Sequence, residues 1–160
     1  MVAEFGLPLF IKPNASGSSF GVTKVKKEGE ILPALEAAFR ESPEVLIEEF
    51  IEGREIGCGV MIADGKEYVF PVTELVSKRE FFDYEAKYTA GLADEITPAD
   101  LKPEVTRLLN EMTLKAYKAC RCRGVVRIDF IVRDDTPYMI EINTIPGMSA
   151  GSIVPKPVSY

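Results

Sequence analysis

A chain of 160 residues with 46% hydrophobic and 28% charged residues has the composition of a globular protein, long enough for one core or for two small lobes. Its net charge of −6 argues against a broad nucleic-acid or anionic-membrane surface, and no apolar run approaches the roughly 20 residues of a membrane helix. There is no histidine, and Cys58, Cys120 and Cys122 form no paired CxxC elements, so imidazole metal sites, Ser-His or Cys-His nucleophiles, disulfide frameworks and structural zinc sites are unsupported; any metal here is expected to be a hard, oxygen-binding one.

The opening MVAEFGLPLF lacks a basic segment and is broken by Gly6 and Pro8, so no leader peptide is expected. The run Leu7 to Pro13 reads as a strand stopped by proline, the small residues of NASGSSFG as a loop, and alternation from Val22 as a second strand. Ile31, Leu35, Ala38 and Phe39 recur at helical spacing, with Pro33 tolerable in a first turn. EVLIEEFIEG is a third strand closing at Gly53, and REIGCGVMIADGKEYVFPVTELV a hairpin turning at Asp64-Gly65. SKREFFDYEAKYTAGLADE has no clean period and reads as a long functional loop. A helix follows, with Thr97 as cap, Pro98 in the first turn, and an apolar stripe of Val105, Leu108, Leu109, Met112, Ala116 and Ala119. GVVRIDFIV and PYMIEIN are two strands joined by RDDT, ahead of a Gly/Ser/Pro-rich end.

Side-chain alternation puts Arg127 and Asp129 on one face of the first of these strands, and Glu141 and Asn143 together on the second. A hairpin symmetrical about Asp135 pairs 129 with 141 and 127 with 143, gathering a polar quartet; a bulge in the turn would shift that register by one. Two carboxylates and an amide oxygen suit Mg²⁺ or Mn²⁺, completed by water and phosphate oxygens. Parity alone fits equally an edge hairpin whose polar face meets solvent, but the TIPGM that follows turns the chain back towards the quartet. At the other end, Lys12 stands just before a Gly/Ser loop whose amides and hydroxyls, from Ser16 to Gly21, could wrap phosphates. GK[ST] is absent and the lysine precedes the loop, which excludes a Walker A loop and the protein-kinase arrangement.

The blocks IKPNASGSSFGVTKV, VLIEEFIEGREI, FFDYEAKYTAG, GVVRIDF and MIEINTIPGMSAGSIVP stand in the order and spacing of the D-alanine:D-alanine ligases, and the chain resembles their ATP-grasp domain over nearly its whole length. That resemblance implies an α+β fold of two lobes, each of antiparallel sheet and helices, with the nucleotide between them. Residues 1–50 would be the small lobe and 51–160 the large one, with a mobile loop at 77–95 and a metal-binding hairpin at 124–147. It implies ATP with two Mg²⁺ or Mn²⁺ ions, an acyl-phosphate intermediate, D-alanine as substrate, a cytoplasmic peptidoglycan-precursor enzyme and a homodimeric parent.

By the same resemblance Lys12 contacts ATP phosphates, and Ser18 and Ser19 belong to the loop over them. Glu48, Glu49, Phe50 and Ile51 read adenine through main-chain groups, Glu55 holds ribose, and Lys87 reaches the γ-phosphate. Tyr88 shapes the acceptor pocket, Asp129, Glu141 and Asn143 hold the metals, and Arg127 with the Gly147 amide stabilises an oxyanion. Ser152 and Ile153 meet the carboxylate of the second D-alanine. Family members also carry an N-terminal domain that supplies groups for the first D-alanine and a further ATP-contacting lysine, so the chain alone is expected to bind nucleotide weakly and turn over little. The alternatives are a ligase for another amino acid and a non-catalytic nucleotide-binding module.

Overall fold

A computed structural model describes residues 6–17, 19–77, 93–148, 152 and 154. They fall into two compact units, one ending at Ile51 and the other starting at Glu52.

In the first unit, β1 (Leu9–Pro13) lies between β2 (Thr23–Val25) and β3 (Val45–Glu49), both antiparallel to it. Alternation sends Leu9, Ile11 and Val25 to a fully buried face, where α1 (Ile31–Glu41) packs Ala34 and Ala38. A 3-10 turn, Glu28–Glu30, leads into α1, with Pro33 in its first turn as expected. Phe39, expected on the core stripe, is instead 54% exposed, because the helix fills its narrow contact with alanines at i and i+4.

The second unit is a six-stranded sheet in the order β7-β6-β4-β8-β9, with β5 also paired to β4. Here β4 is Arg54–Ala63, β5 Lys66–Val69, β6 Thr73–Ser77, β7 Ala93–Ile96, β8 Gly124–Arg133 and β9 Thr136–Asn143. One edge of β4 is shared, with β6 along 55–57 and β5 along 60–63, and the other edge pairs with β8 over nine residues. The Asp64-Gly65 hairpin forms as expected, both residues taking positive φ (50° and 73°) in a two-residue turn. Ser77 and the start of β7 are strand, so both ends of the expected 77–95 loop belong to the sheet; residues 78–92 lie outside the described residues.

The helix α2 (Pro103–Ala119) covers one face of this sheet, meeting Ile56, Cys58, Val60, Val126, Ile128, Phe130 and Val132 with Val105, Leu109 and Tyr117. It starts six residues after the expected cap. Pro103 takes the first turn behind Lys102, while Thr97 bonds the Thr73 hydroxyl at 2.6 Å, in a segment that continues from β7. The buried stripe is Val105, Leu109, Thr113 and Tyr117, a strict i, i+4 row; Leu108 and Ala119 of the expected stripe are exposed. Among the described residues no helix is long and apolar enough to cross a membrane.

Candidate functional site

The β8–β9 hairpin turns at Asp134-Asp135, both in the left-handed region (φ 51° and 64°), so its centre falls between these residues rather than on Asp135. From the turn, Arg133 pairs with Thr136 and Phe130 with Met139. A register shift between Asp129 and Phe130 then leaves Ile140 as an extra residue. Beyond it Asp129 faces Glu141 and Arg127 faces Asn143, the expected pairs reached by a different route. The expected symmetrical hairpin is thus replaced by one with a bulge in β9, which restores the pairing that a bulge in the turn would have shifted.

The four side chains meet. Arg127 Nε donates to Asp129 Oδ1 at 2.7 Å and Arg127 Nη2 to Asp129 Oδ2 at 2.8 Å, a two-pronged charged contact. Asn143 Nδ2 donates to Asp129 Oδ2 at 2.8 Å and to Glu141 Oε1 at 3.3 Å. Asp129 is only 8% exposed, so its charge depends on these partners. Burial pulls the Arg127 guanidinium down, but the hydrogen-bonded charge of Asp129, with Glu141 and Glu55 nearby, outweighs it, and its pKa is raised. On the neighbouring strand, Gly57 stands opposite Asp129 and Gly59 opposite Arg127. The charged face is thus flanked by two residues without side chains. Counting parity in REIGCGV, with Ile56, Cys58 and Val60 on the other face, would have shown this.

No three His, Cys, Asp or Glu side chains cluster as a metal set among the described residues. The donor set is instead two carboxylates and an amide. One amide nitrogen reaches both Asp129 and Glu141, so the two carboxylates share a neighbour, and oxygen donors of this kind fit Mg²⁺ or Mn²⁺. Beyond the hairpin, a side chain on Gly147 would place its Cβ 2.6 Å from Ser152 Oγ, so these two expected substrate contacts adjoin each other.

In the first unit, Lys12 Nζ pairs with Glu48 Oε1 at 2.8 Å across the β1–β3 ladder. The same unit brings Phe10 within 6.0 Å of Phe50, ring centre to ring centre, and sets Lys24 Nζ 3.6 Å above the Phe50 ring. Lys24 thus stacks on an aromatic ring in the unit that holds the Lys12–Glu48 pair; neither Phe10 nor Lys24 was singled out from sequence. Glu49 is exposed, while Phe50, Ile51 and Glu55 are half-buried. Ser19 sits at φ 61° in the glycine loop. Ser18, Lys87, Tyr88 and Ile153 lie outside the described residues.

The family described as "D-ala D-ala ligase C-terminus" matches residues 1–159. The chain belongs to this family. It is 49% identical over 159 residues to the D-alanine--D-alanine ligase of Parabacteroides distasonis, a match covering 99% of this chain and 48% of that protein. To the ligase of Phocaeicola vulgatus it is 50% identical, covering 99% and 49%. The chain thus spans about half the length of the curated relatives it matches.

Among solved structures, the Bacillus anthracis D-alanine--D-alanine ligase superposes with a TM-score of 0.82 at 39% identity, over 99% of this chain and 50% of that one. A D-alanine--D-alanine ligase from Bacillus anthracis complexed with ATP gives 0.79 at 34%, over 99% and 48%. VanG D-Ala:D-Ser ligase from Enterococcus faecalis gives 0.81 at 39%, over 95% and 44%. The D-Ala D-Ala ligase domain is therefore α+β, with the antiparallel sheets and packed helices of the ATP-grasp fold.

Proposed function

We propose that this chain is the ATP-binding, catalytic part of a D-alanine:D-alanine ligase acting in peptidoglycan-precursor synthesis. The observation that carries the reading is the convergence of Arg127, Asp129, Glu141 and Asn143 on one face of the β8–β9 hairpin, in a member of this ligase family. In the reaction, a carboxylate oxygen of the first D-alanine attacks the γ-phosphorus of ATP, giving an acyl phosphate and ADP. The amine of the second D-alanine then attacks the acyl carbon, loses a proton, and phosphate leaves.

Lys12 and Lys87 neutralise phosphate oxygens, while Ser18 and Ser19 lie over them. The backbone of Glu48, Glu49, Phe50 and Ile51 holds adenine, and Glu55 the ribose hydroxyls. Asp129, Glu141 and Asn143 would hold Mg²⁺ or Mn²⁺, two ions in all, which supply positive charge between a phosphate and a carboxylate that otherwise repel. Arg127 and the Gly147 amide donate to the oxygen that becomes negative as the amine adds. Ser152 and Ile153 orient the acceptor carboxylate, with Tyr88 shaping its pocket. The enzyme would act in the cytoplasm as a homodimer, and the chain alone would turn over little.

Calorimetry of ATP with Mg²⁺ on this chain, its Asp129→Asn and its Glu141→Gln variant tests the site; metal-dependent ATP binding unchanged in both variants would reject it. ADP release by a full-length ligase carrying this sequence tests the reaction, which requires that release depend on D-alanine. Similarity to a D-Ala:D-Ser ligase supports a second reading with D-serine as acceptor; product analysis with both amino acids present separates the two.

A further inference from the structure

The site holds its own positive charge. Asn143 presents to both carboxylates its amide nitrogen, a donor, whereas a metal ligand must present an oxygen. Its NH₂ bridges Asp129 and Glu141, where a shared cation would bind. Arg127 meanwhile spends two donors on Asp129, with only 16% of its own side chain exposed. A second positive ion on the same carboxylate repels that guanidinium, and a cation between Asp129 and Glu141 leaves no room for an amide NH₂.

We infer that Arg127 is the resident counter-charge of Asp129, with the neutral Asn143 amide bridging Asp129 and Glu141, and that a divalent cation displaces both, turning Asn143 to offer its oxygen and releasing Arg127 to bind an anionic oxygen of the substrate. Cation loading and anion capture by Arg127 are then coupled, each tightening the other by the same factor. This rests on the metal site proposed above, and it adds an order: Arg127 becomes available only once the cation is in place.

The test uses Mn²⁺ on the 160-residue chain. Removing the competing guanidinium in Arg127→Met should tighten Mn²⁺ binding about tenfold, read from the spin-resonance signal of the unbound ion. In the wild-type chain, modification of Arg127 by phenylglyoxal, followed by peptide mass mapping, should be slow in a metal-free chelated buffer. Saturating Mn²⁺ should speed it about tenfold. A modification rate that Mn²⁺ leaves unchanged or lowers overturns the inference even if the variant fails to fold, as does equal or weaker Mn²⁺ binding by a folded Arg127→Met chain. Asp129→Asn tells the two readings apart. If Mn²⁺ binding survives that change, the metal site itself is wrong and the inference falls with it; if binding is lost while Arg127 reactivity in the wild type ignores Mn²⁺, only the inference fails.

Discussion

The two faces of β8 follow different rules. Val126, Ile128, Phe130 and Val132 pack against α2 and its neighbours, and none is more than 5% exposed. Arg127 and Asp129, interleaved with them, are held by directed hydrogen bonds. The apolar face is stabilised by area removed from water and tolerates changes of shape; the polar face depends on which residues stand opposite one another. Both are set by one register, because a slip of one residue would carry Asp129 into the core and Phe130 out of it. The burial that stabilises the sheet therefore also selects the partners of Asp129.

The largest test of this division is Phe130→Ala, expected to lower unfolding stability by about 3–5 kcal/mol in urea titrations. The same variant, where folded, should keep the Mn²⁺ affinity of the wild type. A large loss of affinity in folded protein would show that the faces are not separable. Next comes Gly53→Ala, just ahead of β4, where an added Cβ would lie 2.5 Å from the Val132 carbonyl oxygen. Displacing the β4–β8 ladder there should cost about 1–3 kcal/mol, measured the same way.

Thr113→Val should act in the opposite direction. The Thr113 hydroxyl is buried on the helix side and, among the described residues, meets no good hydrogen-bond partner, with the Cys58 thiol facing it. Its removal is expected to raise stability by about 1 kcal/mol.

The smallest effect at neutral pH concerns Cys58 itself. Burial pushes its thiol up to about 12 from the usual 9.0; the neighbouring Thr113 hydroxyl opposes this, and the charge of Asp129 behind it adds a smaller push upward. The folded chain thus keeps a proton that the unfolded chain loses sooner, so stability should be level up to about pH 9 and fall as pH rises towards 12. Iodoacetamide at pH 8 should label the exposed Cys120 and leave Cys58 untouched in the folded chain. Asp129→Asn should lower the pKa of Cys58, a direct reading of one face on the other.

Much of this could be read from alternation. The Asp64-Gly65 hairpin, the sharing of one strand face by Arg127 and Asp129 and of another by Glu141 and Asn143, and the buried Leu9 and Ile11 follow from period-2 patterns and turn chemistry. What escaped is decided by contacts distant in sequence. Thr97 reads as a helix cap until Thr73 takes its hydroxyl, and Phe39 fits a helical stripe until the small unit meets α1 with alanines. The position of the bulge was likewise illegible. RDDT permits a turn centred on either side of Asp135, and only burial of Phe130 against α2 together with the paired charges further on fixes where the additional residue goes.

That additional residue makes the two arms of the hairpin unequal, with consequences for how the sequence can change length. The stretch from Thr136 to Met139 runs in plain register with β8, and so does the stretch from Glu141 to Asn143; Ile140 alone joins two ladders that are each complete. Loss of Ile140 would fuse them into one regular hairpin that still sets Glu141 against Asp129 and Asn143 against Arg127. Loss of Glu141 would instead set Ile140 against Asp129 and remove a carboxylate from the polar face, so in this hairpin a deletion should be tolerated at one position and damaging at the next.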